Sequence, residues 1–126
     1  MNDKMVGWLL IFLSALLDSY AAFIVKTKFN ELGKIDFSSF KSFFDYIWQF
    51  VQSPILLTAI IAFVSAPGLW FLALNRINLS TGYPILVGFH LVFVLVFGVF
   101  LLSEDFDVYK GIGTGLVLLS LYFFAK

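Results

Sequence analysis

The sequence predicts an all-α integral membrane protein built as a bundle of four transmembrane helices. Of its 126 residues 61% are hydrophobic and only 13% are charged, which is more apolar than a soluble domain tolerates. Four apolar runs approach the length of about 20 residues that a helix needs to cross a bilayer core. Short loops between the last three runs predict antiparallel neighbours within a single domain, residues 1–126.

Four spans follow in order along the chain. The first covers residues 5–25, and we interpret it as a retained helix because its apolar run is too long for a signal-peptide core. The second, 54–74, opens with proline at a favoured first-turn position. The third covers 80–102 and the fourth, 108–125, is the shortest.

An amphipathic helix is predicted over residues 37–51, between the first two spans. Either Asp36 or Ser38 is a suitable N-cap for it. The aromatic load of its apolar face suits the membrane interface, whereas the alternative is packing against the loops of the bundle. The apolar residues at helical spacing are Phe37, Phe40, Phe44, Ile47 and Val51.

Composition also excludes several classes of function. Eight basic and eight acidic side chains cancel, so no basic surface indicates nucleic acid as a partner. With no cysteine, one histidine and no GxSxG, Walker or HExxH motif, the usual metal and nucleophile constellations cannot be assembled. We therefore expect no enzyme activity and no cofactor.

Basic residues give little guidance on orientation in the membrane. Lys4, Arg76 and Lys126 fall on the side of the predicted bundle that holds the N-terminus, and the other five lysines fall on the opposite side. Such a weak bias favours an external N-terminus, yet it also permits insertion in both orientations.

Asp18 is the acidic residue that lies deep in a predicted span. It stands about 20 Å from one end of the first helix and about 10 Å from the other, too far for its short side chain to reach either interface. An ionised carboxylate in lipid costs at least about 3 kcal/mol, so such residues usually face a cavity and act on protons or cations. Because burial favours the protonated form and a bound cation favours the ionised form, proton and cation would compete for one site. The alternative is a protonated acid that only bonds one helix to another.

Tyr83, Leu86 and His90 share one face of the third helix. A histidine at that depth either relays protons and contacts a polar substrate or stays neutral and bonds a neighbouring hydroxyl. We expect Tyr83 to contact substrate as well.

Two further sets of residues are predicted to shape the bundle. Pro67, Gly68 and Pro84 should kink helices two and three and help them flex between states. Gly111 and Gly115, four apart at the start of the fourth helix, have the small-residue spacing that lets membrane helices pack closely, which predicts a dimer contact.

The chain resembles the small multidrug resistance proteins and the EamA-like relatives within the drug/metabolite transporter superfamily. The resemblance covers all four helices, except the long first loop, and is strongest over "LALNRINLSTGYPILVGFHLVFVLVFGVFLLSEDFDVYKGIGTGLVLLSLYFF". Asp18 and Lys26 match the spacing of the family's acid and lysine in the first helix. In the third helix Tyr83 matches, while Leu86 stands at the position of a family tryptophan.

Other positions of the family motifs are partly kept. Gly88 keeps the first glycine of a Gly-x-Gly pair that kinks the third helix, and His90 replaces the second. Gly113 and Leu116 fall on the dimerisation motif of the fourth helix, where Ser120 replaces a later glycine.

The resemblance implies a homodimer, or a heterodimer with a related chain, in the cytoplasmic membrane of a bacterium or archaeon. Acids from two first helices would meet in a central cavity, lined also by Ser14 and Leu86, and substrate would cross by alternating access. We expect proton-coupled exchange of a small cationic or amphipathic solute.

The "YPI" sequence, the loop around Glu104 and the amphipathic insert resemble a second branch, flippases of polyprenyl-phosphate-linked sugars, whose members generally lack the acid. A membrane scaffold subunit without transport activity is the third hypothesis.

Overall fold

The computed structural model describes residues 2–126, and within them it is all-helical. The prediction of an all-α chain is confirmed. The elements are α1 (Asp3–Leu32), α2 (Phe40–Val51), α3 (Pro54–Leu74), α4 (Leu79–Val96), which continues as a π-helix (Phe97–Leu101), and α5 (Val108–Phe124).

Three of the described helices are long and apolar enough to cross a membrane: α1, α3, and α4 with its π-helical end. This is consistent with the predicted integral membrane protein. The fourth apolar helix, α5, has 17 residues and is shorter.

Helix α1 is longer than the predicted span because its polar end stays helical. It begins after Asn2, whose side-chain oxygen accepts the Met5 N–H at 2.8 Å, and it ends at Gly33, whose φ is +81°. Lysine and glutamate are good helix formers, and the Lys28–Glu31 ion pair of 2.8 Å spans the last turn. Asp18 therefore lies at the middle of α1, fifteen residues after Asp3 and fourteen before Leu32.

Helix α1 forms the centre of the bundle, with α3 antiparallel on one side and α4 parallel on the other. The α1–α3 seam is close-packed because its α3 side is largely alanine, and small residues let membrane helices approach. Helix α5 packs against α4 and contributes no buried residue. Two buried clusters hold these contacts together: Ile11, Ala15, Ala73, Ile77, Ile85 and Leu86, then Ala21, Ile24, Leu56, Ala59 and Ala62.

Helix α2 is tied to the end of α1 by one tyrosine. The Tyr46 hydroxyl donates to the Gly33 carbonyl at 2.7 Å. The N-cap is Ser39, whose hydroxyl accepts the Ser42 N–H, so α2 starts later than the predicted residue 37 and neither Asp36 nor Ser38 caps it. Asp36 instead accepts the Ser38 N–H at 2.8 Å.

The hydroxyl of Ser38, together with that backbone bond, lowers the pKa of the Asp36 carboxyl. Because the pKa of Asp36 is lower in the folded chain than in the unfolded chain, the contribution of this bond to stability depends on pH. The bond contributes stability above the ordinary carboxyl value of 3.8, and this contribution is lost as the pH falls through the lower folded pKa.

The apolar face predicted for the amphipathic helix is largely uncovered within the chain. All five of its residues are exposed, from 36% at Ile47 to 78% at Phe40. This exposure favours a position at the membrane interface over packing against the loops of the bundle. The face that packs inward instead holds Tyr46, which is buried, and Phe50, whose ring lies 5.3 Å from that of Phe29.

Helix α4 ends in a wide turn that the sequence did not predict. The Leu102 N–H donates to the Phe97 carbonyl at 3.1 Å, and the Glu104 N–H folds back to the Gly98 carbonyl at 2.9 Å. Ser103 closes this turn with a φ of +56°, in the left-handed region that favours glycine.

Replacing Ser103 with glycine is expected to stabilise the protein by about 1 kcal/mol, because glycine adopts positive φ without the steric cost of a Cβ. The measurement is the thermal unfolding midpoint in detergent. Ser53→Gly is the matched control, since Ser53 has an ordinary φ of −74° and should gain nothing. An unchanged or lower midpoint for Ser103→Gly would contradict the prediction.

Candidate functional site

Helices α1 and α4 bring Asp18 and His90 together. The His90 Nε2 lies 3.2 Å from the Asp18 Oδ2, and the two side chains are 29% and 38% exposed. Because α1 and α4 run parallel, aromatic contacts from Phe12 to Phe89 and from Phe23 to Phe97 fix the register on either side of the pair. The sequence singled out both residues, and the structure adds that they form a pair.

The pair is close but not aligned as a hydrogen bond. The His90 Nε2 is inaccessible to solvent and has no hydrogen-bond partner among residues 2–126. An ionised Asp18 beside a protonated His90 is a neutral pair, and so is a protonated Asp18 beside a neutral His90. A single proton can therefore lie on either group while the pair stays neutral.

Asp18 also lies on the wall of an apolar groove between α1 and α3, which we name the Asp18 groove. The groove has a volume of about 510 Å³, and the end of α2 closes one side of it with Phe50 and Val51. Among residues 2–126, Asp18 is the one ionisable residue on its wall. A carboxylate in such surroundings can hold a cation whose remaining surface is apolar.

Ser14 and Leu86, predicted to line a substrate cavity, do not line the Asp18 groove. The Ser14 hydroxyl is buried and donates to the Ala66 carbonyl at 2.8 Å, so it bonds α1 to α3. Leu86 is 7% exposed and belongs to the buried cluster with Ile11 and Ala15.

Tyr83 is not brought to the Asp18–His90 pair. Its side chain is 56% exposed, and its ring packs edge-on against Trp70 with 6.1 Å between centroids. Within one chain, Tyr83 therefore lies apart from the Asp18–His90 pair.

The predicted kink residues lie in unbroken helices. Helix α3 continues through Pro67 and α4 through Pro84. A Cβ at Gly68 would meet nothing within 4 Å, whereas Gly88 is buried and a Cβ there would collide with Leu121 of α5. Gly88 thus serves the contact between α4 and α5, and the departure from α-helical geometry lies further on, in the π-helix.

The glycine face of α5, predicted as a dimer contact, is uncovered within one chain. Cβ atoms at Gly113 and Gly115 would meet nothing within 4 Å, and Leu116 is 62% exposed. Gly111 lies against the ring of Phe106.

Comparisons of the chain with protein-family models, curated proteins and solved structures give no match. The function is therefore argued from the site.

Proposed function

We propose that the protein is a small secondary transporter that exchanges protons for a cationic or amphipathic solute, with Asp18 as the shared binding site. The observation that supports this most strongly is the place of Asp18, which lies 3.2 Å from His90 and also on the wall of an otherwise apolar groove. A carboxylate placed at the middle of a membrane-spanning helix costs free energy unless a proton or a cation neutralises it. The groove offers a volume in which a solute can do so.

Exchange follows from competition for one carboxylate. A solute cation that enters the groove is attracted to ionised Asp18, so a proton held by the pair must leave. When the solute leaves, a proton returns and restores a neutral pair. One proton moves against one monovalent solute if the site opens to one side of the membrane at a time.

The transporting unit in this proposal is a dimer, and each subunit has four membrane-spanning helices. With 17 residues, α5 measures about 26 Å, close to a bilayer core, and it serves as the fourth span. Its uncovered glycine face is the contact with a second copy or a related chain. The exposed aromatic face of α2 lies at the membrane interface.

Purified protein in liposomes with an imposed pH gradient provides the test. Primary amines, quaternary ammonium ions and guanidinium compounds are added one at a time while a pH-sensitive dye reports proton flux. We expect flux with at least one compound, saturating with its concentration and absent from protein-free liposomes. Solute movement that dissipates no pH gradient would contradict proton coupling.

A second candidate function is flipping of a polyprenyl-phosphate-linked sugar. It is favoured by the α2 residues Phe50 and Val51, which place an interfacial helix directly against the Asp18 groove, where a lipid headgroup could rest. Mass spectrometry of the purified protein would show copurifying polyprenyl lipid under this hypothesis. Exchange that needs only an aqueous solute and a pH gradient would count against it.

A further inference from the structure

A second, smaller pocket lies between α1 and the π-helical end of α4, and we name it the Ser19 pocket. Its volume is about 230 Å³. On the α1 side it is lined by Ser19, Ala22 and Lys26, and on the opposite side by Phe97, Gly98 and Glu104.

The Ser19 pocket extends from Ser19, the residue after Asp18, toward the C-terminal end of α1. Ala22 follows Asp18 by four residues, and Val94, which also lines the pocket, follows His90 by four. At its other end stand Lys26 and Glu104, both exposed. Asp18 and Lys26 are about 12 Å apart along the axis of α1, and the pocket covers most of that distance, from Ser19 to Lys26.

Ser19 is the polar residue buried in this pocket. It is 2% exposed, and its hydroxyl makes no hydrogen bond to any of the residues that the structure describes. Leaving a buried hydroxyl unpaired costs about 1–3 kcal/mol. Water would supply the missing partner, and at about 30 Å³ per molecule the pocket has room for several.

Glu104 lies at the mouth of the pocket, packed against Gly98. The backbone N–H of Glu104 donates to the Gly98 carbonyl at 2.9 Å, and a Cβ at Gly98 would lie only 2.6 Å from the Glu104 Oε2. Glycine at 98 thus leaves the space that the carboxylate occupies. Within residues 2–126 neither Glu104 nor Lys26 forms an ion pair, so both charged groups are free to hydrate.

We propose that the Ser19 pocket is a hydrated path through which protons pass between the Asp18–His90 pair and the aqueous phase at the C-terminal end of α1. A proton from bulk water binds the Glu104 carboxylate, moves along pocket water past the Ser19 hydroxyl, and binds the Asp18 carboxylate. Each relaying group accepts one proton and releases one, so nothing is consumed. The path rests on the proposed function, because it supplies the protons that Asp18 exchanges.

Thiol labelling tests the path without reference to transport. The chain has no cysteine, so Ser19→Cys introduces a single thiol. A small, charged, membrane-impermeant methanethiosulfonate reacts only with a hydrated thiol. The matched control is Ser14→Cys, since Ser14 is equally buried on the same helix but bonds to Ala66 and lines neither pocket.

We expect Ser19→Cys to react at least about tenfold faster than Ser14→Cys in proteoliposomes, because thiolate formation requires water. If Ser19→Cys does not fold, Val94→Cys reports from the opposite wall. Equal, slow reaction of the pocket thiol and the Ser14→Cys thiol would overturn the proposal, whether or not the protein transports.

Double variants give the direction of the path, whatever the orientation of the protein in the bilayer. Asn30 is exposed near the C-terminal end of α1, and Asn75 is exposed at the opposite end of the bundle. Mass spectrometry of Ser19→Cys/Asn30→Cys should show both thiols of a molecule labelled or neither. Ser19→Cys/Asn75→Cys should show one labelled thiol per molecule, and the reverse pattern would overturn the assigned direction.

Discussion

Replacing Asp18 with asparagine is expected to reduce proton-coupled exchange at least about 100-fold, because an amide neither binds and releases protons nor attracts a cation. Asparagine has nearly the shape of aspartate, and Asp18 is 38% exposed, so the chain should still fold. The measurement is dye-reported proton flux in liposomes on addition of a solute that the unmodified protein exchanges. Size-exclusion elution in detergent checks that the variant keeps its assembly state.

Asp45→Asn is the control for loss of one negative charge. Asp45 is exposed on α2 and lines neither pocket, so its variant should exchange at the unmodified rate. Undiminished exchange in Asp18→Asn would end the proposed function. Equal losses in both variants would attribute the effect to net charge rather than to the site.

Replacing Gly88 with alanine is expected to lower the free energy of unfolding by about 1–3 kcal/mol, the usual cost of overpacking a tight contact. The new Cβ would overlap Leu121, and its clash includes Cγ as well as both methyl groups. Rotating the methyl groups alone cannot relieve that clash, so α5 must move away from α4. The thermal unfolding midpoint in detergent measures the loss.

A second change at the same contact separates crowding from other effects of Gly88→Ala. Gly88→Ala/Leu121→Ala should recover at least part of the lost midpoint, because the smaller side chain at 121 admits the new methyl group. Gly68→Ala is the matched control, since a Cβ at 68 meets nothing within 4 Å and alanine favours helix. A midpoint for Gly88→Ala equal to that of Gly68→Ala would contradict the tight contact.

The long apolar helices could be predicted because apolar length is a local property of the chain. Residues 54–74 are α3 as predicted, and α4 with its π-helical end differs from the predicted 80–102 by one residue at each end. The end of α1 was missed because hydropathy reports where the apolar run stops, whereas lysine and glutamate extend the helix to Leu32. The N-cap of α2 could not be assigned from the sequence because Asp36, Ser38 and Ser39 are all residue types that cap helices, and in the structure Ser39 accepts the Ser42 N–H while Asp36 accepts the Ser38 N–H.

The site was predictable residue by residue but not as an arrangement. Asp18 and His90 each stand out as ionisable groups in apolar runs, yet their contact depends on the parallel register of α1 and α4. Ser19 gave no signal, because a serine in a membrane helix is ordinary until its hydroxyl is found without a partner. The glycine at 88 was expected to bend its helix, while its role in one chain is to admit Leu121.

The depth of Asp18 in the predicted span has an electrical consequence. If residues 5–25 cross the bilayer, Asp18 lies about 20 Å from the N-terminal end of the span and about 10 Å from the other end. A charge there has crossed about two thirds of the membrane potential from the N-terminal side, which is worth about 1.5 kcal/mol per 100 mV. Movement of a proton to Asp18 in the proposed exchange would then depend on voltage. A hydrated Ser19 pocket would carry the potential of one aqueous phase inward to Ser19, concentrating the field on the part of α1 between Asp18 and its N-terminal end.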